Sequence, residues 1–442
     1  MLGRASSGRP IWERLGIAVL PFLGCTVAWH WMVGLVFQAV ASFWSKTSLA
    51  AAMGLAYGYK LSCPTNVGPI EDTFDGPLSA LAYWPAVLLG HSGFQVLAVR
   101  GLSLFYYYGP AAWLLLRDGE GLGEREQKWR WGGPRLGSLL LFIAFVLLTT
   151  NFRSLRSSPT EMHADAPALA LAASAVVLMV RGGGGQNPWT CSLALILAVL
   201  AVWGQQLAVP LLLIGLPAYA LATGARQSLL RLLLPGFVGG LAITLILLAA
   251  FDPQSVGAAS GVAPLRGKGW LDFLAPLIVF QEKHAPLLFL LAVGFVGRIG
   301  ATDPAGSRDP SARFRRRDTD WIVFVVAGLA ELVFSALGYF GPDVNENTMS
   351  FSLYFLSLGS LLMLKPLLDT GDETERRATP WGWYLVIGLN LMLAMIDDEA
   401  LGIALVERKG AGPDAVVADR PKSLLPPCSP GLRVLNSPST RA

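Results

Sequence analysis

The sequence predicts an all-α polytopic membrane protein. Three observations support that fold class: the composition, the long apolar runs and the placement of the basic residues. Of the 442 residues, 53% are hydrophobic and only 14% are charged, whereas soluble domains carry about 25% charged residues. This composition indicates that lipid surrounds much of the chain. The net charge of +4 is too small to indicate a nucleic-acid partner.

Long apolar segments recur along the chain, and each is a candidate membrane span, for which about 20 residues are needed. Eleven such segments occupy residues 15–41, 92–116, 135–151, 166–181, 189–204, 206–223, 231–251, 284–300, 320–340, 351–365 and 380–396. Only Gln205 and Gln206 interrupt the region 189–223, so its division into two spans is the least certain one. We expect about 11 transmembrane helices, within a range of about 10–13. The first segment lacks the small-residue cleavage site of a signal peptide and is expected to stay as an anchor.

The basic residues divide unequally between the two sides of this predicted topology. If the N-terminus is cytoplasmic, the inside segments hold 20 Lys and Arg residues, and the outside segments before the tail hold 7. An arginine-rich run at 312–318 assigns one loop to the inside by itself. Since Lys and Arg favour the cytoplasmic side, the sequence predicts a cytoplasmic N-terminus. Residues 42–91 and 341–350 then lie outside, and residues 301–319 lie inside.

The first outer segment, 42–91, is too long for a simple turn. Its residues 79–89 (SALAYWPAVLL) are apolar and contain proline but are too short to span, so they predict an interfacial helix. Residues 62–77 are rich in Pro, Gly, Asn and acids, and predict a loop held against the membrane. We therefore expect one transmembrane domain over residues 1–396 and a disordered outer tail over residues 397–442.

Ionisable side chains cluster in the segment before the fourth predicted span. Glu161, His163 and Asp165 stand there beside Arg153 and Arg156, all at one membrane face in the predicted topology. Helix capping is an alternative explanation for each of the two acids. Capping does not account for the whole cluster, because ionisable groups at a membrane are costly unless a partner or a reaction uses them. The segment is therefore a candidate site.

Two further outer loops carry polar side chains. Glu71 and Asp72 lie in the first outer loop. They form either a solvated acidic turn or a carboxylate site that acts as a general base or metal ligand. Asn345 lies on the loop 341–350 and belongs either to a plain polar turn or to a binding surface.

Three basic residues occupy the outer loop 252–283. Arg266, Lys268 and Lys283 are either ordinary flanking anchors or contacts for a lipid phosphate. No metal ligands can be assigned by spacing. The four cysteines and the four histidines lie far apart, which argues against a structural zinc site and against a disulfide framework.

Three stretches resemble the GT-C class of membrane glycosyltransferases, and in particular the bacterial branch of the dolichyl-phosphate-mannose–protein mannosyltransferase-like family (glycosyltransferase family 39). They are GYKLSCPTNVGPIEDTFDGPLSALAYWPA (58–86), MHADAPALALA (162–172) and GYFGPDVNENTMSFSLYFL (338–356). The likeness covers most of residues 10–396. It implies a GT-C-like fold, with a first span, a long outer loop carrying interfacial helices, and many spans joined by short loops.

The resemblance also implies a reaction. Members of this class transfer a sugar from a polyprenyl-phosphate donor to an acceptor hydroxyl at the non-cytoplasmic face, and the acceptor is a lipid, a glycan or a protein. We therefore expect a hexosyl- or pentosyltransferase in the bacterial inner membrane. By position, Glu71 or Asp72 would be the catalytic carboxylate of the first outer loop, and Asp165 would be a second acid near the start of a later span.

The chemistry of such a transfer matches the residue types on the outer face. A carboxylate can deprotonate the acceptor hydroxyl, an effect worth roughly 10²–10⁴-fold in rate. Basic side chains or a bound divalent cation can stabilise the departing phosphate, and the sequence indicates no other cofactor. The residues expected to bind substrate are Glu161, His163, Arg153, Arg156, Arg266, Lys268, Lys283 and Asn345.

Two other functions stay open. A secondary transporter would place ionisable residues and broken helices near the bilayer midplane, often in two matching repeats. Here no clear repeat occurs, and the acids concentrate at the outer ends of the predicted spans. A catalytically decayed transferase-like protein is the other alternative. Family members commonly carry an acidic pair directly after the first span, whereas residues 44–70 contain no acid.

Overall fold

The computed structural model is all-helical over the residues it describes, with no strand among them. Those residues are 51–56, 77–89, 92–116, 134–152, 155, 165–181, 188–222, 226–250, 277, 280–281, 284–301, 320–338 and 349–369. The α-helices are α1 (Pro77–Val87), α2 (Ser92–Leu116), α3 (Pro134–Asn151), α4 (Asp165–Arg181), α5 (Pro188–Gly204), α6 (Leu216–Ala222), α7 (Arg226–Ala250), α8 (Ala285–Ala301), α9 (Asp320–Gly338) and α10 (Ser350–Asp369). The predicted all-α class is confirmed for this part of the chain.

The predicted spans agree closely with these helices. Helix α2 occupies the same residues as the predicted span 92–116, and the later predicted spans up to 351–365, apart from 206–223, overlap α3 to α5 and α7 to α10 with small shifts at their ends. Spans 15–41 and 380–396, with the predicted tail 397–442, lie outside the described residues. Among the described helices, none is both long enough and apolar enough to cross a membrane. The number of spans and the extent of the domain therefore stay predictions.

Helix α10 lies at the centre of the bundle. All of its residues from 350 to 364 are buried, as expected for a helix that is covered on every side. It packs against α3, α4, α8 and α9. Two glycines allow its close approach to α9. A Cβ on Gly328 would lie 2.7 Å from Leu356 Cγ, and a Cβ on Gly359 would lie 2.7 Å from Val325 Cγ2.

The short helix α1 packs against α2. Tyr83 of α1 is fully buried, and its hydroxyl lies 2.9 Å from the hydroxyl of Ser103. The helix predicted over 79–89 is therefore confirmed as a helix. It begins two residues earlier than expected, because proline suits the first helical position and Pro77 stands there. Its location at a membrane interface stays a prediction.

The predicted span 206–223 is not a regular helix, and in this respect the prediction is wrong. Gln205 has an extended backbone (φ −157°, ψ 131°) that separates α5 from a 3-10 turn at Gln206–Ala208. A π turn at Leu211–Gly215 then precedes α6. Pro217 accounts for the π turn, because its ring clashes with the carbonyl four residues earlier and it has no N–H to donate. We call residues 205–215 the helix break.

Candidate functional site

Two helices of the bundle begin at residues joined by a hydrogen bond. Asp165 is the first residue of α4 and Ser350 is the first residue of α10. The Ser350 hydroxyl donates to Asp165 Oδ2 at 2.9 Å. Asp165 is only 2% exposed, and Ser350 is fully buried. This contact joins residues 185 positions apart, so it brings the starts of both helices to one place in the interior.

Two tyrosines lie next to this hydrogen bond. Tyr107 of α2 is fully buried and close enough to Asp165 for the two groups to interact electrostatically. Its hydroxyl has no hydrogen-bond partner among the described residues. Tyr354 lies one turn after Ser350 on α10 and donates its hydroxyl to the Tyr107 carbonyl at 2.9 Å. We call Tyr107, Asp165, Ser350 and Tyr354 the Asp165 cluster.

Helix α3 supports the Asp165 cluster from one side. The Tyr108 hydroxyl lies 3.2 Å from the Thr149 hydroxyl. The Phe145 ring packs edge to face against Tyr354, with centroids 5.2 Å apart, and against Tyr108 at 6.2 Å. Aromatic pairs in such arrangements contribute about 0.5–1.5 kcal/mol each beyond the area they bury. Aromatic rings of α2, α3 and α10 therefore pack together beside the Asp165 cluster.

The ends of α3 and α8 lie at the same end of the bundle as the Asp165 cluster. Phe145 of α3 packs on Tyr354, and Thr149, nearer the end of α3, lies 3.2 Å from the hydroxyl of Tyr108, the neighbour of Tyr107. Just after α3, the Phe152 ring packs edge to face on His284, directly before α8, with centroids 4.8 Å apart. The end of α3 and the starts of α4, α8 and α10 therefore meet here. The predicted topology assigned all four of these helix ends to the outer side.

Asp165 is the predicted site residue that falls within the described ranges. The others lie outside them: Glu71, Asp72, Glu161, His163, Arg153, Arg156, Arg266, Lys268, Lys283 and Asn345. Among the described residues, the hydrogen bond of Asp165 runs to Ser350 of α10 and not to an N–H of its own helix. The described contacts thus do not support capping as the explanation for this acid.

The sequence assigns no metal, although the carboxylates of the first outer loop can act as ligands of a divalent cation. Those carboxylates, Glu71 and Asp72, lie outside the described residues. In the part of the chain that the structure describes, no group of three or more His, Cys, Asp or Glu side chains could hold a metal ion. Binding of a divalent cation therefore stays a hypothesis.

Sequence reasoning missed Tyr107, Ser350 and Tyr354 as members of the site. Ser350 is the last residue of the loop motif 341–350, and Tyr107 is the middle of three consecutive tyrosines in a predicted span. That run of tyrosines was an available signal, since each buried tyrosine hydroxyl needs a hydrogen-bond partner. The pairing of Ser350 with Asp165 had no such local signal.

An apolar groove of about 720 Å³ lies on the opposite face of α4. Pro167, Ala170, Leu171 and Ser174 line it at the spacing of one helical face, and residues of α1, α2 and α5 complete its walls. At about 100° per residue, this face points roughly opposite to Asp165. The groove is therefore separate from the Asp165 cluster, although the two lie on the same first turns of α4.

A second carboxylate is buried elsewhere in the bundle. Glu331 of α9 is fully buried, and neither of its carboxylate oxygens has a hydrogen-bond partner among the described residues. It faces the helix break. The backbone N–H of Leu211 is the group of the helix break that lies next to this carboxylate.

No protein-family model and no curated protein matches the sequence. Among solved structures, the chain is similar to the crystal structure of ArnT from Cupriavidus metallidurans in the apo state, with a TM-score of 0.52 and 12% sequence identity. The two chains share a fold. ArnT is a GT-C glycosyltransferase, so the predicted resemblance to the GT-C class is confirmed at the level of the fold. The narrower likeness to glycosyltransferase family 39 stays a prediction.

The match to ArnT covers 84% of this chain and 62% of ArnT. The chain therefore spans less than two thirds of the length of ArnT. With 12% identity, the likeness establishes the fold alone, and any activity has to rest on the residues of the site.

Proposed function

We propose that this protein is a membrane glycosyltransferase that moves a sugar from a polyprenyl-phosphate donor to an acceptor hydroxyl at the non-cytoplasmic face. The observation that carries the proposal is the Asp165 cluster, in which a buried carboxylate stands where four helix ends meet. It occurs in a fold shared with ArnT, which uses a lipid-linked sugar. A donor of that kind also suits a chain with 53% hydrophobic residues.

Asp165 is proposed as the second carboxylate of the active site. The Ser350 hydroxyl holds one of its oxygens in place, and burial strengthens its electrostatic interactions, because the local dielectric constant is low. In this position, Asp165 orients the acceptor, the general base or a bound divalent cation. The general base itself is Glu71 or Asp72 of the first outer loop. Asp165 is then a positioning residue for proton removal from the acceptor.

Basic residues next to the same end of the bundle are proposed to stabilise the departing phosphate. Arg153 directly follows Phe152 in the sequence, and Lys283 directly precedes His284. The rings of Phe152 and His284 are in contact, which supports a shared location for the two cations. Arg156, Arg266 and Lys268 complete this set, and a fixed positive charge at a developing phosphate is a strong source of rate acceleration.

Three residues of two loops are proposed to contact the substrates. Glu161 and His163 stand four and two residues before Asp165, and Asn345 stands five residues before Ser350. The hydrogen bond between Asp165 and Ser350 supports the proposal that these three residues serve one site. We propose a hexosyl- or pentosyltransferase of the bacterial inner membrane, with its N-terminus in the cytoplasm and a lipid, a glycan or a protein as acceptor.

A transfer assay tests the proposal. The full chain, reconstituted in lipid vesicles, is incubated with a panel of radiolabelled polyprenyl-phosphate sugars and candidate acceptors. We expect product from at least one donor, and loss of that product in Asp165→Asn. Asp320→Asn is the matched control, because Asp320 also accepts a side-chain hydrogen bond, from Tyr219 at 3.0 Å, away from the Asp165 cluster. Absence of transfer from every donor would overturn the proposal.

A secondary transporter is the second candidate function, and the helix break next to buried Glu331 favours it. Transporters commonly combine a discontinuous helix with an ionisable residue inside the bundle. A transporter would accumulate its substrate in vesicles without releasing polyprenyl phosphate. The two candidates therefore differ in a product that can be measured directly.

A further inference from the structure

We propose that the apolar groove between α1, α2, α4 and α5 binds the acyl chains of a bilayer phospholipid. The residues of α4 that line this groove face away from Asp165, so the site is distinct from the Asp165 cluster. The bound lipid is a structural ligand and not a substrate. The site therefore does not depend on the proposed sugar transfer.

The walls of the groove offer mainly hydrocarbon contacts. Among the described residues that line it, the side chains with a polar atom are those of Tyr106, Trp113 and Ser174. The Tyr106 hydroxyl is already engaged, because it donates to the Ala82 carbonyl at 2.9 Å. An extended peptide in the groove would leave much of its backbone without hydrogen bonds, which is costly. A hydrocarbon chain needs none, and it therefore fits these walls better.

The groove opens onto a surface that is itself apolar. Phe105 and Trp113 both line the groove, and their side chains are 68% and 38% exposed. Leu116, which follows Trp113 on α2, and Trp84 of α1 are exposed as well. Exposed apolar patches of this kind mark contact with a membrane or another apolar partner. Since α2 coincides with a predicted span, the surroundings at the mouth of the groove are lipid.

The size and direction of the groove favour a phospholipid over the polyprenyl donor. An apolar cavity of about 150 Å³ holds a benzene molecule. On that scale, a groove of about 720 Å³ has room for about 30 carbon atoms, which is close to the content of the two acyl chains of a phospholipid. A polyprenyl donor has to bring its phosphate to the Asp165 cluster, on the opposite face of α4. Its chain is therefore poorly placed to occupy this groove.

Native mass spectrometry of the full chain in a mild detergent, with palmitoyl-oleoyl phosphatidylethanolamine added, tests the site by measuring the phospholipid retained per chain. Gly109 lines the groove, and a Cβ there would lie 3.7 Å from the Phe105 ring, an ordinary contact. Gly109→Trp should therefore fill the groove and reduce the retained phospholipid about tenfold or more. Gly101→Trp is the matched control on the same helix. A Cβ at Gly101 would meet no atom within 4 Å, so this variant should retain the wild-type amount.

Three results would overturn the site. One is a wild type that retains no more phospholipid than Gly109→Trp or that loses it equally in Gly101→Trp. Another is displacement of the phospholipid by an equal concentration of polyprenyl phosphate, which would assign the groove to the donor. The third is a wild-type dimer that Gly109→Trp converts into monomers, which would assign the groove to a second copy of the chain. If Gly109→Trp does not fold, Ser174→Phe fills the groove from α4 instead. Unchanged retention in Ser174→Phe would reject the proposal, and a loss would support it.

Discussion

The Asp165 cluster and the helix break each bury one carboxylate, and the two carboxylates have different surroundings. Asp165 accepts a hydrogen bond from Ser350 and lies beside tyrosines that α3 supports. Glu331 has no hydrogen-bond partner in the described part of the chain and faces irregular backbone. A carboxylate that accepts a hydrogen bond is held in one geometry, whereas a buried carboxylate without a partner lowers the stability of the fold. The same type of substitution should therefore have different effects at the two places.

The largest expected effect is on catalysis at Asp165. Asn retains an oxygen that can accept the Ser350 hydrogen bond, so Asp165→Asn should fold normally. It loses the charge, and we expect kcat for sugar transfer to fall by about a hundredfold or more. His163→Ala is the control for a change close to Asp165 in the sequence. It keeps the Asp165 carboxylate, so it should reduce kcat less. A fully active Asp165→Asn enzyme would leave the acids of the first outer loop as the remaining candidates.

The second prediction compares stability when each carboxylate is replaced by an apolar side chain. Asp165→Leu leaves the buried Ser350 hydroxyl without its acceptor and should lower the free energy of unfolding by about 1–3 kcal/mol. Glu331→Met removes an unpartnered buried carboxylate, and it should be neutral or stabilising. Chemical unfolding of the two variants measures the difference. Equal losses of stability would contradict the distinction between the two sites.

The third prediction separates two buried serines of α10. Ser350→Ala removes the donor to Asp165 and should lower kcat about tenfold, since a hydrogen bond to a charged group contributes about 1.5–3 kcal/mol. Ser352→Ala is the matched control, because the Ser352 hydroxyl donates to the Met349 carbonyl at 2.8 Å instead. Steady-state kinetics should show an unchanged KM for the donor in both variants. Identical kcat values for the two variants would show that Ser350 does not position Asp165.

The smallest expected effect distinguishes two neighbouring tyrosines. The Tyr107 hydroxyl has no partner among the described residues and lies by Asp165, so Tyr107→Phe should reduce transfer about threefold with little loss of stability. The Tyr108 hydroxyl pairs with Thr149, so Tyr108→Phe should lower stability by about 1 kcal/mol and keep the activity. Transfer rates and unfolding curves of both variants check this. If Tyr108→Phe lowered the transfer rate and Tyr107→Phe lowered the stability instead, the hydroxyl that acts at the site would be that of Tyr108.

The helices were predictable because each follows from a local apolar run. Helix α2 has the boundaries that the sequence predicted, and α3 and α5 begin one residue before their predicted starts. The sequence predicted a division at Gln205, but not the irregular backbone that follows it, since residues 207–216 carry no polar side chain and the number of apolar residues in 206–223 matches a span. Pro210 and Pro217 carried the relevant signal. Their effect is steric and acts on the backbone, so a hydropathy pattern does not report it.

The candidate site was predictable in part. Asp165 stood out because ionisable residues are rare at the start of an apolar run, and the structure places it in a buried cluster. Its partner Ser350 could not be inferred, because a contact between residues 185 positions apart depends on how α4 and α10 pack. The unpartnered state of Glu331 is likewise a property of tertiary packing. A single sequence shows which residues are charged, but not which of them meet.

The proposed transfer is tested most directly by quantifying its two products, the glycosylated acceptor and free polyprenyl phosphate, in one sample. Vesicles that contain the full chain, a radiolabelled polyprenyl-phosphate sugar and its acceptor are sampled over time. Sugar–acceptor product and free polyprenyl phosphate are then quantified together. We expect the two to form in equal amounts, and neither to form in Asp165→Asn vesicles. Movement of the intact polyprenyl-phosphate sugar to the other leaflet, with neither product formed, would contradict glycosyl transfer and indicate a transporter.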